Sequence, residues 1–215
     1  MKIYKFTNGE TYTPFAAAWE YFVCEDELTI PLDDIKKEIL DKERSIIEAH
    51  EFEDDWGTKL GADSLTARSH KYNLLKFDSA DPLRRCIKKT HDKFVTQLGF
   101  EYAPQIYVQC WANVMRKGEQ IAVHTHGTDP YGYLSGHVCV QVNDTNTQYY
   151  NPYGGDPWLS PNKEGKITLF PNYLPHGTDK VEDDDERITI AFDIYTKDGY
   201  NNSIIDDMKP HWMKL

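Results

Sequence analysis

Three histidines stand where they could bind one metal ion. His124 and His126 alternate within the β-rich segment 121–126, and side chains at positions i and i+2 of a strand share one face. His176 follows a predicted strand that stops at Pro171 and turns. Imidazole binds iron, zinc, copper and nickel alike, so the three residues predict a metal site without identifying the metal. A His-x-His pair taken alone is more often solvated at a surface.

A second pair of residues could bind an anion. Arg187 and Thr189 open the last predicted strand and share one face. A guanidinium fork and a hydroxyl together form a receptor for a carboxylate. The alternative for Arg187 is a surface ion pair with the acidic run 182–186, which would contribute little. Asn113 is either a further contact of the same ligand or a turn contact, and His137 is predicted to pack rather than to bind a metal.

The elements that must position these residues differ along the chain. Apolar residues at helical spacing predict a helix over 31–50. A second helix is predicted from Asp81, as N-cap, to Gly99, with Pro82 at its first position. Beyond residue 100, short β-rich runs are separated by turn residues, at 106–111, 121–126, 136–142, 166–170 and 188–195. This succession predicts a mainly β fold, a jelly-roll barrel with N-terminal packing helices.

Length and charge restrict the classes of protein. The 215 residues suit one domain, divided into a mixed helical and strand extension at 1–100, a jelly-roll catalytic core at 101–197 and a loosely attached tail at 198–215. The formal charge of −11 argues against nucleic acid as a partner. No apolar stretch is long enough for a membrane helix or a signal peptide, which predicts a cytoplasmic protein. The oligomeric state stays open, with a homodimer as one alternative.

The motifs resemble a known family. Segment 111–118, the His124–His126 pair, segment 134–136, the run 170–176 and segment 186–192 resemble the 2-oxoglutarate- and iron(II)-dependent oxygenases of bacteria and phages, a branch of the prolyl-hydroxylase-like superfamily. The resemblance covers roughly residues 100 to 195. Its most specific feature is the order of three motifs, H-x-H, F-P-x-x-x-x-H and R-I-T, since each alone is common.

The resemblance implies both a fold and an activity. It implies a double-stranded β-helix with Fe(II) at its mouth, bound by His124, His126 and His176, and with 2-oxoglutarate and O2 as co-substrates. The distal carboxylate of 2-oxoglutarate would then meet Arg187 and Thr189. An unknown substrate, peptidyl or prolyl in one alternative and a small molecule in the other, would be hydroxylated with release of succinate and CO2.

One departure from the superfamily leaves the ligand set open. The wider superfamily has H-x-Asp or H-x-Glu, whereas His126 occupies the second position here. Either three histidines bind the metal, or His126 only supports another ligand and Asp129 supplies the carboxylate. The first is favoured, because Asp129 precedes Pro130 in a turn.

Two other functions compete with an oxygenase. One is a cupin-type metal-binding protein, an isomerase or a sensor, although the glutamate expected shortly after His126 is missing. The other is a catalytically inactive barrel that uses the acidic run 182–186 as an interaction module. Binding of 2-oxoglutarate that depends on iron would distinguish the oxygenase from both.

Overall fold

Two antiparallel sheets form the framework of the structure, a computed structural model that describes residues 1–52, 54–100 and 105–215. The first residues of the predicted core, 101–104, lie outside the described residues. The larger sheet has seven strands in the order β1-β2-β7-β4-β9-β3-β10, and the smaller has three in the order β6-β5-β8. The strands are β1 (Lys2–Thr7), β2 (Glu20–Glu27), β3 (Ile106–Met115), β4 (Leu134–Gln141), β5 (Asn146–Tyr149), β6 (Trp158–Pro161), β7 (Lys166–Pro171), β8 (His176–Thr178), β9 (Arg187–Thr196) and β10 (Met213–Lys214).

Three helices accompany the sheets: α1 (Asp33–Ala49), α2 (Asp81–Gln97) and α3 (Lys197–Ser203). The two helices predicted from the sequence are confirmed, within one or two residues at each end. The N-cap of α2 is Ala80, so Asp81 occupies the first helical position and Pro82 the second. Among the described residues, no helix combines the length and the apolar composition that crossing a membrane would require.

Strand alternation gives the large sheet two different faces. On β9, Ile188, Ile190 and Phe192 join a hydrophobic core that includes residues of α1 and α2. The intervening residues of β9 point to the opposite side and line a cavity. Because both faces are covered, nearly every residue of β9 is buried. The helices therefore support the sheet from behind and leave its other face for a site.

Two expectations about the chain are wrong in detail. The segment 121–126 is not a continuous strand: His124 makes an isolated bridge with His176. Its neighbours bond elsewhere, Ala122 N to Thr58 O and His126 N to Asn172 O. The end of the chain is not loosely attached, because β10 pairs with β3 along one edge of the large sheet. The N-terminal strands β1 and β2 also belong to that sheet, next to β7.

Candidate metal centre

Three histidines converge in the wall of a cavity between the sheets. Ligand atoms of His124, His126 and His176 lie within 4.8 Å of one another. The ring centroids are 4.5 Å apart for His124 and His176, and 5.0 Å apart for His126 and His176. Two reciprocal backbone hydrogen bonds of 3.0 Å join His124 to His176. These bonds hold the segment before β4 beside the start of β8. The H-x-H motif and the motif that ends at His176 therefore meet, although they are far apart in the sequence.

Hydrogen bonds fix which nitrogen of each ring is available. Nδ1 of His124 lies 2.9 Å from the carbonyl oxygen of Ala122, and Nδ1 of His176 lies 2.9 Å from that of Leu174. A carbonyl oxygen only accepts, so both Nδ1 atoms carry the proton and both Nε2 atoms keep a lone pair. In the third ring, Nδ1 of His126 lies 2.5 Å from Oδ1 of Asp193. The cluster thus offers Nε2 atoms in the state that a metal requires.

Burial also keeps two of the rings neutral. Desolvation, with the neighbouring imidazole of His126 as a second cause, lowers the pKa of His124 to about 4. Desolvation also lowers the pKa of His176 well below its ordinary value. A metal competes with protons for imidazole, so a ring that stays neutral below pH 6 is a better ligand.

Asp129 does not join the cluster. Its carboxylate accepts hydrogen bonds of 2.8 Å from the hydroxyls of Tyr195 and Ser203, and the metal-type cluster found among the described residues contains histidines only. Asp129 instead ties β9 to α3 and the turn before β4.

A buried cation lines the same cavity. The cavity has a volume of about 280 Å³ and takes in the three histidines, Arg187, Thr189 and Asn113. Arg187 is 1% exposed, and its Nε and Nη1 atoms have no hydrogen-bond partner. Within the described ranges, no salt bridge reaches Arg187, so the expected alternative of an ion pair with the acidic run is not what the structure shows. Burial lowers the pKa of Arg187.

Asn113 forms a hydrogen bond with the hydroxyl of Thr189. The hydroxyl of Thr66 donates to Oδ1 of Asn113 at 2.6 Å, and Nδ2 of Asn113 approaches Oγ1 of Thr189 at 3.4 Å. These contacts place the Asn113 amide beside Thr189, which is its cross-strand partner on β9. Thr189 accepts from Asn113, so its hydroxyl hydrogen remains available to donate to a ligand.

Asp193 and His137 line the cavity, although the sequence did not assign them to it. Asp193 continues the inward series of β9 that begins at Arg187, so the period of two could have found it. His137, predicted to pack, lines the cavity, and its Nε2 has no hydrogen-bond partner. Burial, reinforced by the charges of Lys166 and Arg187, lowers the pKa of His137 well below its ordinary value.

Comparison with known proteins agrees with these features. A family model described as "Putative 2OG-Fe(II) oxygenase" matches residues 155–193, which include His176, Arg187 and Asp193. No protein of curated function matches the sequence. The resemblance to iron(II)- and 2-oxoglutarate-dependent oxygenases is confirmed by the match.

Solved structures share the fold. A prolyl-4-hydroxylase of Pseudomonas putida is 10% identical with a TM-score of 0.52, covering 81% of this chain and 92% of that one. A prolyl hydroxylase of Trichoplax adhaerens, in complex with a hypoxia inducible factor peptide, is 12% identical with a TM-score of 0.53, covering 85% and 87%. The carbocyclase SnoK from nogalamycin biosynthesis is 10% identical with a TM-score of 0.53, covering 85% and 86%. At these identities the likeness shows the fold, and it confirms the mainly β jelly roll.

Proposed function

We propose that this protein is an iron(II)- and 2-oxoglutarate-dependent dioxygenase that hydroxylates its substrate with release of succinate and CO2. His124, His126 and His176 would hold the iron, and Arg187 and Thr189 would hold the distal carboxylate of 2-oxoglutarate. One observation carries the proposal: a single cavity contains both a cluster of imidazoles and a buried guanidinium with unpaired N–H groups.

The residues present fit an iron(II) ion. Imidazole nitrogen is among the ligands that iron(II) accepts, and three ligands on one side leave positions open for a co-substrate and O2. Each Nδ1 is held by an acceptor, so the rings cannot turn their Nε2 atoms away without losing a hydrogen bond. Bound iron would supply the activation of O2 that is coupled to oxidative decarboxylation of 2-oxoglutarate.

The residues of β9 would bind and orient the co-substrate. A buried guanidinium without a partner is costly, and a carboxylate that accepts two of its N–H bonds would offset that cost. Thr189 would donate to the same carboxylate, because its hydroxyl oxygen already accepts a hydrogen bond from Asn113. Nε2 of His137 is a further polar atom on this wall. The receptor lies in the same cavity as the histidines, so one ligand can reach both.

Aromatic side chains would keep water away from the reacting group. Phe170 lies 4.6 Å from His176 and 6.1 Å from His126 between ring centroids, and Trp111 lies 5.6 Å from His126. Phe170 and Trp111 both lie in the cavity wall. Such a wall strengthens the electrostatic contacts inside the cavity and limits side reactions.

The substrate is proposed at the level of a class. The similar structures include enzymes described as prolyl hydroxylases and one described as a carbocyclase. We therefore infer a peptidyl, for example prolyl, substrate or a small molecule for this chain. A cytoplasmic location accords with the four free cysteines. That location, a catalytic core at residues 101–197 and a homodimer stay proposals.

Anaerobic titration tests the activity directly. The metal-free protein is titrated with Fe(II) and then with 2-oxoglutarate, and the visible charge-transfer band of the chelate is followed. The band is expected with 2-oxoglutarate and not with succinate, which lacks the keto oxygen. Iron binding without a response to 2-oxoglutarate would favour the cupin-type alternative. Binding of neither would favour an inactive barrel.

A further inference from the structure

A carboxylate stands directly behind one of the three histidines. Oδ1 of Asp193 lies 2.5 Å from Nδ1 of His126. The same oxygen accepts a 2.6 Å hydrogen bond from the hydroxyl of Ser135, the cross-strand partner of Asp193 on β4. The side chain of His126 is 6% exposed and that of Asp193 is 14% exposed. The contact is therefore partly shielded from water, where a charge-assisted hydrogen bond is stronger than at a surface.

This contact differs from those of the other two histidines. Nδ1 of His124 and of His176 each meet a neutral backbone carbonyl, whereas Nδ1 of His126 meets a carboxylate. Trp111 and Phe170 flank the ring of His126, the latter edge-on at 89°. The ring is thus confined by packing on its faces and by Asp193 at Nδ1.

The charge of the site explains why a carboxylate is needed. Three neutral imidazoles would leave both positive charges of an iron(II) ion uncompensated, in a cavity that also contains the guanidinium of Arg187. A ligand set of two histidines and one carboxylate, which is common for this metal, includes a negative charge. In this protein the Asp129 carboxylate does not fill that role, because it accepts hydrogen bonds from Tyr195 and Ser203. The carboxylate of Asp193, in contrast, contacts the cluster by its hydrogen bond with His126.

We propose that Asp193 is a positioning residue of the metal centre: it fixes Nε2 of His126 toward the metal and supplies, through that imidazole, the negative charge that a direct carboxylate ligand would supply. Asp193 does not itself bind the metal. The inference rests on the proposed function, since it concerns the same site. A hydrogen-bonded carboxylate makes the opposite nitrogen a stronger donor, and loss of such a partner lowers metal affinity on the order of 10- to 100-fold.

Metal binding without turnover tests this role. Co(II) binding to the metal-free protein is measured by its visible spectrum and by calorimetry, in the absence of 2-oxoglutarate. Asp193→Asn keeps a side-chain oxygen that can accept from Ser135 and His126, so the fold is expected to persist. The expected result is a loss of Co(II) affinity on the order of 10- to 100-fold with a shifted spectrum. Asp129→Asn, which alters an equally hydrogen-bonded carboxylate away from the rings, should leave the affinity unchanged.

A double-mutant cycle separates action through His126 from a general charge effect. In a His126→Ala background the ring is absent, so at Co(II) concentrations high enough to occupy the remaining two-histidine site, Asp193→Asn should cause little further loss of affinity. An equal loss in both backgrounds, or an equal loss with Asp129→Asn, would overturn the role of Asp193. Unchanged affinity in Asp193→Asn, while the parent still binds iron and 2-oxoglutarate, would overturn this inference alone. A parent that binds no metal would overturn the proposed function as well.

Discussion

Arg187 is the residue that most clearly distinguishes this cavity from a simple metal site. A guanidinium that is 1% exposed and has two nitrogen atoms without a hydrogen-bond partner carries a desolvation cost, which the charge of Asp179 offsets only in part. A metal ion nearby would raise that cost, because both are positive. An anionic ligand that lies between the cation and the metal would lower it for both. The presence of Arg187 and the three histidines in one cavity therefore indicates an anionic co-substrate more strongly than either feature alone.

Replacing Arg187 should affect the co-substrate and not the metal. Arg187→Ala is expected to weaken 2-oxoglutarate binding by roughly 2 to 5 kcal/mol, since a buried carboxylate loses its cation. Arg187→Lys should restore only part of this, because one ammonium cannot reproduce the fork. Thr189→Val should cost about 1 kcal/mol. The measurement is 2-oxoglutarate binding to the iron-loaded protein, with iron affinity measured in parallel. A drop in iron affinity with an unchanged 2-oxoglutarate response would contradict the assignment.

The histidines should be individually required for tight metal binding. His124→Ala and His176→Ala each leave two ligands, so metal content after dialysis should fall to background while circular dichroism stays that of the parent. His50→Ala, at the end of α1, serves as a control and should retain the metal. Equal metal content in all variants would refute the site.

The sequence predicted those residues whose role depends on local spacing. Arg187 and Thr189 are two residues apart on β9, so the period of a strand places them on one face. His124 and His126 have the same spacing and meet in the cluster, although their segment is not a continuous strand. The same period places Asp193 on the inward face of β9, but it does not reveal which residue Asp193 meets there. The contact between Asp193 and His126 joins residues 67 apart in the sequence, and that between Asp193 and Ser135 joins residues 58 apart. Spacing within one strand does not contain that information.

At the scale of elements, β4 is packed closely on both sides. It lies between β7 and β9 at the centre of the large sheet. A Cβ atom at Gly136 would lie 2.4 Å from the backbone oxygen of Thr168 and 2.5 Å from a ring carbon of Phe192. Glycine is required here because two neighbours approach the backbone closely.

Gly136→Ala should therefore destabilise the protein by about 1 to 3 kcal/mol, the usual cost of overpacking. The free energy of unfolding in urea measures this. Gly127→Ala is the matched control, because its nearest contacts would be ordinary ones of 3.5 Å and longer, and it should change stability by less than about 0.5 kcal/mol. Equal stability of the two variants would show that β4 can shift away from β7.

Helix α2 contains a buried histidine that should make stability depend on pH. The side chain of His91 is 0% exposed, and its nitrogens lie 2.9 Å from the Asp92 carboxylate and from the Tyr133 hydroxyl. Burial lowers the pKa of His91, outweighing Asp92, and the charge of Lys88 lowers it further. The folded pKa is below the unfolded value of about 6.5. The contribution of neutral His91 to the free energy of unfolding is therefore complete above pH 6.5. It is lost as the pH falls from there through the folded pKa.

His91→Gln removes this titration and keeps a side chain that can bond to Tyr133. The free energy of unfolding of the metal-free parent should fall more steeply between pH 6.5 and pH 5 than that of the variant. The difference in slope is at most about 1.4 kcal/mol per pH unit, the value for one proton. Other buried histidines, such as His137 and His176, also titrate on unfolding, so stability should depend on pH to some extent in both proteins. Parallel curves would mean that His91 titrates normally in the folded state.

Elements with a strong local pattern were predicted, and short or non-local ones were not. The helical spacing of Ile35 and Ile39, and of Leu83 and Ile87, marked α1 and α2. Strand β8 has only three residues, so it contains no run of β-forming residues from which it could be predicted. Its neighbours are β5 and the bridge at His124, which are distant in the sequence. The β-rich composition of 121–126 predicted a strand, but that segment divides its hydrogen bonds among three different neighbours.

At the scale of the whole molecule, the two ends of the chain complete the large sheet. Strands β1 and β2 extend it on one side and β10 on the other. Backbone hydrogen bonds of 2.9 and 3.3 Å join Leu215 to Ile106, and the ring of Trp212 packs against that of Tyr195. The C-terminal residues cover the edge of β3, a strand that also carries Asn113 and Trp111. An uncovered edge strand exposes unpaired backbone groups.

Removing residues 210–215 should therefore lower stability without removing the site. The shortened protein keeps Met208, the last residue of the cavity wall, so it should still bind Co(II) and 2-oxoglutarate at low temperature. It loses the β10–β3 pairing and the Trp212 ring, so it should unfold at a lower temperature and aggregate more readily, as followed by calorimetry and light scattering. Trp212→Ala in the full chain keeps the β10 backbone bonds and should give an intermediate loss of stability without the aggregation. An unfolding temperature equal to that of the parent would show that the C-terminal residues do not contribute to the sheet in solution.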